Sequence, residues 1–118
     1  MTKKTSHLTI TDADGVHIVE FADRKILEEL SISEIGEELS TLIDELSDIR
    51  LLLSFRQVEH LSSAALGMLI KLHHEIRDKG GRLKLSDISP PIFEVFKITR
   101  LNKLFSIYDT RDEALRSF

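Results

Sequence analysis

Segments of two kinds alternate along this chain, and their order is the feature that most limits its possible folds. Short apolar runs such as residues 51–53 have the length of a buried β-strand, whereas longer stretches repeat apolar residues every three or four positions, as helices do. Strands that alternate with helices predict an α/β fold with a partly parallel sheet and right-handed crossovers. We expect about five strands and four helices, in the order ββαβαβαβα.

The first two strands are predicted to form a hairpin. Apolar and polar residues alternate in residues 8–10 and again in 16–18, on either side of Asp14 and Gly15, a dipeptide typical of tight turns. Residues 12–15 also have the D-x-D-G letters that begin a calcium loop. The further carboxylates and the terminal glutamate of an EF-hand loop are missing, so we interpret the tetrad as a turn.

Each predicted helix has an identifiable first turn. Serine or threonine followed three residues later by glutamate is a capping box, and proline is favoured at the first helical position. The predicted starts are Ser31 with Glu34 before an apolar face that begins at Ile32, Ser62 and Ser63 before a helix that runs to about Lys79, Pro90 and Pro91 after Ser89, and Thr110 with Glu113.

Composition narrows the classes of function. The net charge of -4 argues against nucleic acid as the main partner, because phosphate neutralisation requires a basic surface. The absence of cysteine excludes disulfides and cysteine-bound zinc. Residues 1–6 are too polar for a signal sequence, and no apolar run approaches the length of about 20 residues that spans a membrane. We therefore expect one cytoplasmic domain over residues 1–118, with no membrane insertion, metal or cofactor.

Charge is unevenly distributed along the chain. Residues 23–50 contain nine acidic and three basic side chains, whereas residues 71–103 contain eight basic and four acidic ones. Two interpretations remain open. These segments are either solvated helix faces of opposite sign or a docking surface that steers a charged protein partner.

Residues 58–69 are the stretch most informative about function. They join a buried strand to a helix through the adjacent serines Ser62 and Ser63, and binding sites in open α/β sheets lie beyond the carboxyl ends of strands. A serine at this place can simply cap the helix, with an effect of about 1 kcal/mol. Alternatively, it is a phosphorylation site, since the positive helix end tolerates the roughly -1.5 to -2 charges of a phosphoserine.

This stretch resembles the signature of STAS domains, the family of bacterial anti-sigma-factor antagonists. In that family a strand is followed by Asp-Ser-Ser/Thr-Gly-Leu-Gly and a helix, and the matching hexapeptide runs here from Ser62 to Gly67. The similarity continues through the glycine pair at 80–81 to Leu104 and covers essentially the whole chain. It implies a single STAS-like domain with a mixed sheet. Among the positions that depart from the pattern, Ser62 replaces the aspartate and Ala65 replaces the first glycine.

The resemblance implies a non-enzymatic regulator that binds an anti-sigma factor. In family members the serine after the aspartate is phosphorylated by an anti-sigma factor that is also a kinase, and a separate phosphatase restores binding. It follows that Ser63 is the expected phosphorylation site, with Ser62 as the alternative. Gly67 would allow close approach of a partner backbone or, alternatively, tight packing of the helix on the sheet. The partner is expected to contact the exposed first helical turn and the loop before it, namely Glu59, His60, Ser62, Ser63, Leu66 and Gly67.

Other functions fit the same residues to different degrees. Within the family, a phosphorylation-independent scaffold of a signalling assembly, or a cytosolic accessory subunit of a transporter, needs only a docking face. A hydrolase triad of Ser63, His60 and Asp87 lacks the G-x-S-x-G elbow. A metal cluster of His60, His73 and His74 lacks known ligand spacing, and neither glycine-rich phosphate-binding motif is present for nucleotide hydrolysis.

Overall fold

The computed structural model describes residues 2–118. It confirms the α/β class but contains more elements than predicted, because β1, the two-residue strands β4 and β6, and the one-turn helix α4 were not expected. In chain order the elements are β1 (Thr2–Lys4), β2 (Leu8–Ala13), β3 (Val16–Phe21), β4 (Lys25–Ile26), α1 (Glu29–Glu45), β5 (Arg50–Ser54), β6 (His60–Leu61), α2 (Ser63–Asp78), β7 (Arg82–Ser86), α3 (Pro90–Ile98), α4 (Leu101–Leu104), β8 (Ser106–Tyr108) and α5 (Arg111–Arg116).

The main sheet has six strands in the order β1-β2-β3-β5-β7-β8. Strands β1 to β3 are antiparallel neighbours, whereas β3, β5, β7 and β8 run parallel to one another. Each parallel pair is joined by a helical crossover, through α1, α2 and then α3 with α4. The central strand β5 is buried on both faces, with residues 51–53 fully inaccessible, as its continuous apolar run predicts.

The hairpin turn between β2 and β3 is confirmed at Asp14 and Gly15. Their φ angles are 51° and 83°, so both central residues are left-handed, and Ala13 faces Val16 across the turn. A two-residue turn with two positive φ angles is the type I′ turn, whose twist matches that of the strands it joins.

The sheet has a larger core on the face covered by α1, α2 and α3, and a smaller one under α5. Three aromatic rings run through the larger core: the ring centroids of Phe21 and Phe55 are 5.0 Å apart, and those of Phe55 and Phe96 are 6.5 Å apart. In the smaller core Ala114 of α5 packs with residues of β3 and β5. The two layers leave the carboxyl ends of the parallel strands free to present loops.

The starts of three helices follow the predicted signals, and one does not. Helix α2 begins at Ser63, as predicted. Thr110 Oγ accepts the backbone N–H of Glu113 at 3.2 Å at the start of α5, and α3 begins at its proline pair. The predicted capping box of Ser31 and Glu34 is wrong, because α1 already begins at Glu29 and both residues lie inside it. The residue before Glu29 makes no side-chain cap, so packing of the apolar face fixes this end.

His7, just before β2, connects three parts of the fold. Its Nδ1 lies 2.7 Å from Asp23 Oδ2, and its Nε2 lies 3.6 Å from Glu34 Oε2 on α1. Burial alone lowers the pKa of this imidazole, but the hydrogen bond to Asp23 and the nearby carboxylates of Glu34 and Glu38 outweigh that effect. The pKa of His7 is therefore raised above its ordinary value.

Candidate functional site

The loop that leads into α2 is held by a second, two-stranded parallel sheet made of β4 and β6. The backbone N–H of Glu59 donates to the carbonyl of Arg24 at 2.7 Å, and the N–H of Ser62 donates to the carbonyl of Ile26 at 3.1 Å. These bonds satisfy the backbone of a segment that has too few residues for ordinary strands. The start of α2 is thereby fixed relative to the segment that precedes α1.

Ser62 is the N-cap of α2. Its backbone is extended, with φ -88° and ψ 168°, and its Oγ accepts the N–H of Ala65 at 3.2 Å. Its carbonyl also accepts the first helical N–H, that of Leu66, at 3.1 Å. Of the two serines, Ser62 therefore has the structural role that a helix start requires.

Ser63 is the first helical residue of α2, and its side chain is exposed. Within residues 2–118 its hydroxyl makes no hydrogen bond, and the first turn of α2 contains no acidic residue. The unsatisfied amides and the dipole of a 16-residue helix make this end electropositive. An oxygen in this position is accessible to another molecule and can bear negative charge without repulsion from its own turn.

The other residues expected to contact a partner divide into an exposed group and a buried one. Glu59 and His60 are exposed, and Glu59 Oε2 lies 3.7 Å from Nε of Arg24. Gly67 is also exposed, and a Cβ atom there would meet nothing within 4 Å, so tight packing on the sheet is not its role. The expected exposure of Leu66 is wrong, because only 7% of the residue is accessible and it packs in the larger core.

The residues of the hypothetical hydrolase triad are not linked to one another. Asp87 Oδ2 accepts the hydroxyl of Ser86 at 2.7 Å and lies 3.5 Å from that of Ser54, both on the sheet. Across residues 2–118 no hydrogen bond joins Asp87 or His60 to Ser63. The arrangement therefore provides no base for activating the Ser63 hydroxyl.

The histidines of α2 do not form a metal-binding group with His60 among the described residues. The ring centroids of His73 and His74 are 5.5 Å apart with an interplanar angle of 66°, and His73 makes an edge-to-face contact with Phe105, with centroids 5.4 Å apart. Burial, together with the charges of His74 and Arg77, lowers the pKa of His73. In the part of the chain that the structure describes, no three acidic or histidine side chains are grouped so that they could hold a metal ion.

A small apolar surface next to the loop was not predicted. Pro91 and Val95 of α3 line a cavity of about 200 Å³ together with Glu59 and His60. Val95 is 39% exposed. Sequence spacing does not separate Val95 from the core, because it lies three residues after Ile92, as a residue of the same helix face would. The structure shows that only Ile92 and Phe96 of α3 are buried.

A groove of about 460 Å³ runs between α1 and α2 and begins next to Ser63. Ala64 and Gly67 form its α2 side, and Gly36 lies opposite, where a Cβ atom would come within 3.3 Å of Met68 Cγ. Small side chains therefore keep the helices close and the groove open. Glu37 lies at its edge and makes that side acidic.

No helix in residues 2–118 has both the length and the apolar character needed to cross a membrane.

Comparison with known proteins agrees with this architecture. A protein named as an anti-sigma factor antagonist, BtrV of Bordetella bronchiseptica, is 24% identical over 111 residues, which cover 94% of this chain and 93% of BtrV. The structure of an anti-sigma-factor antagonist (STAS) domain protein from Planctomyces limnophilus superposes with a TM-score of 0.85 at 20% identity, covering 93% of this chain and 96% of that one.

The Bacillus cell fate determinant SpoIIAA, in its phosphorylated form, superposes with a TM-score of 0.67 at 17% identity, over 93% of this chain and 97% of the other. These structural similarities concern the fold. The family model of the STAS domain matches residues 6–114, which include every strand from β2 onward and all the crossover helices. The chain therefore belongs to the STAS domain family.

Proposed function

We propose that this chain is a non-enzymatic, cytoplasmic anti-sigma-factor antagonist that binds an anti-sigma factor with serine-kinase activity and is switched by phosphorylation of Ser63. The observation that carries the proposal is that the hydroxyl groups of the two serines have different environments. The Ser62 hydroxyl caps α2, whereas the Ser63 hydroxyl is exposed and has no partner within residues 2–118. The name of the BtrV relative supports the same role.

The docking surface consists of the loop held by β4 and β6 and the first turns of α2. Its exposed members are Glu59, His60, Ser63 and Gly67, with Ser62 half-buried between them. Gly67 leaves room for the backbone of the partner, because nothing lies within 4 Å of the position of its absent Cβ. Leu66 is buried in the larger core, so it affects partner binding only by holding the first turn of α2 in place.

Phosphorylation would act on the interface and leave the fold intact. A phosphate on Ser63 adds about -1.5 to -2 charges at an electropositive helix end, which is stabilising by roughly 0.3 to 1 kcal/mol per charge. Because the first turn of α2 has no carboxylate, nothing in it opposes this charge. The partner, however, meets a bulky dianion in place of a hydroxyl, so its affinity falls until a phosphatase removes the group.

Ser62 is the alternative acceptor, and its hydrogen bond and lower exposure count against it. Its oxygen already accepts the Ala65 amide, and the residue is less exposed than Ser63. Transfer of a phosphoryl group to Ser62 would require that cap to rearrange. This favours Ser63 even though the aspartate of the STAS signature is absent before it.

The test is binding of matched variants to the partner captured from native cytosol. Ser63→Asp is expected to weaken binding by at least about tenfold, since a charge buried without a partner costs that much or more. Ser63→Ala should bind like the wild type. Ser47→Asp, an exposed serine in the loop after α1, is the control for added charge. Equal binding of the two Ser63 variants would refute the switch, and mass spectrometry should find the phosphate on Ser63.

A second candidate function is a phosphorylation-independent scaffold or transporter accessory. It is favoured by Ser62, because replacement of the aspartate leaves the cap and the docking surface complete without any need for a kinase. In this case both Ser63 variants would retain the same partner, and that partner would be a membrane transporter or a large signalling assembly.

A further inference from the structure

Four large apolar side chains are well exposed within residues 2–118, and they form two pairs. Leu27 and Leu30, at the start of α1, are 46% and 72% exposed, whereas Val95 and Ile98, on α3, are 39% and 79% exposed. Single exposed apolar residues are ordinary on protein surfaces. Here each pair lies in a segment whose charges are mostly of one sign, and the two signs are opposite.

The first pair lies in acidic surroundings. Residues 27–45 contain seven acidic side chains and no basic one, and Leu30 and Glu34 are one helical turn apart. Of the two basic residues just before this segment, Arg24 lies 3.7 Å from Glu59 and Lys25 is exposed. We call the following group the acidic patch: Leu27, Leu30, Glu28, Glu29 and Glu34.

The second pair lies in basic surroundings. Residues 95–104 contain three basic side chains and no acidic one. Glu94, just before them, lies 3.4 Å from Lys97 Nζ, which leaves Arg100 and Lys103 exposed without an ion pair among residues 2–118. We call the following group the basic patch: Val95, Ile98, Lys97, Arg100 and Lys103.

The two pairs of side chains do not cover each other, because all four remain exposed. Helices α1 and α3 follow β3 and β7, and α2 follows the strand between them, β5. Both patches are therefore open to a partner from another molecule. Each patch is complementary to a surface that has apolar side chains among charges of the opposite sign. Every copy of this chain has one patch of each kind, so a second copy is a complementary partner.

We propose that the acidic patch of one copy docks on the basic patch of a second copy, in a head-to-tail association. Opposite charges steer the encounter and fix the pairing, while Leu30 and Ile98 supply the apolar contact. The interface is heterologous, so an unused patch remains at each end of a dimer and association continues to longer assemblies unless a ring closes. Because surface charges are screened within about 10 Å at 0.1 M salt, association should weaken as salt rises.

Sedimentation equilibrium over roughly 10 μM to 1 mM tests the proposal, a range suited to a small interface. The wild type should exceed the 13.5 kDa monomer and pass beyond the dimer as concentration rises, with less association at high salt. Leu30→Gln and Ile98→Gln should each weaken self-association by about tenfold or more. Ser106→Gln, at an exposed position of β8 outside both patches, is the control and should behave like the wild type.

Mixing the two variants tests whether the acidic patch pairs with the basic patch, while growth of the wild type beyond a dimer distinguishes the head-to-tail geometry from a symmetric dimer. Leu30→Gln retains an intact basic patch and Ile98→Gln an intact acidic patch, so an equimolar mixture should form a dimer that does not grow further. A wild type that stays monomeric over the whole range, one that stops at a dimer without further growth, or a mixture that forms no dimer would each overturn the proposal. Circular dichroism verifies that the variants fold, and concentration-dependent amide shifts of the wild type, confined to the two patches, provide a readout that needs no variant.

Discussion

Replacing Ser62 by alanine removes the oxygen that accepts the Ala65 amide at the start of α2, a bond of 3.2 Å. Loss of an N-cap of this kind costs about 1 kcal/mol of free energy of unfolding. A chain of 118 residues has an unfolding entropy of roughly 0.25 kcal/mol/K, so Tm should fall by about 4 °C. Ser63→Ala, which removes an exposed hydroxyl without a partner in the described residues, should change the free energy of unfolding by less than about 0.5 kcal/mol.

Thermal and urea unfolding of the two alanine variants, measured side by side, provide the assay. Ser62→Asp is the informative third variant, because a carboxylate caps a helix as well as a hydroxyl does and restores the residue of the STAS signature. Its stability should lie within a few tenths of a kcal/mol of that of the wild type. If Ser63→Ala were as destabilising as Ser62→Ala, the Ser63 hydroxyl would be a structural group and the reasoning behind the switch would be wrong.

Two further predictions concern stability. The protonated imidazole of His7 stabilises the fold through Asp23, and because its folded pKa is raised, this contribution is fully present below the unfolded pKa of about 6.5 and is lost as pH rises through the folded pKa. The loss of unfolding free energy in His7→Asn, measured by urea denaturation, should thus be larger at about pH 5.5 than at about pH 8.5, and an equal loss at both would contradict it. Gly81→Ala would place a Cβ atom 2.6 Å from Ile49 Cβ and should lower the free energy of unfolding by about 1 to 3 kcal/mol. Gly67→Ala, in open space within a helix, should raise it by roughly 0.5 to 1 kcal/mol in the same assay. Similar effects of the two substitutions would show that the contact at Gly81 does not matter.

The order of the larger elements could be predicted because each has a periodic pattern that tertiary contacts reinforce. The strands β4 and β6 could not, since Lys25–Ile26 and His60–Leu61 are extended only through pairing with each other, far apart in the chain. The sequence predicts a start of α1 that is too late for a related reason. Leu30 is exposed, so the apolar stripe becomes visible only at Ile32, although the helix begins at Glu29.

The candidate site was located from the position of two serines between a buried strand and a helix. Which serine caps and which is free could not be predicted, because either can occupy the N-cap and only the backbone angles decide. The burial of Leu66 was within reach of the sequence. Leu66 and Leu69 are three residues apart on the apolar stripe of α2, and that spacing outweighs the membership of Leu66 in the signature hexapeptide.

The pairing of β4 with β6 has a consequence for how the domain tolerates change. Two connections that are distant in sequence share one short ladder, so the length of residues 22–28 determines where the amide of Ser62 is anchored. An insertion or deletion in that connection would displace the Ser63 hydroxyl without altering any residue near it. Variation in loop length before the first long helix would therefore shift the proposed docking surface at the second.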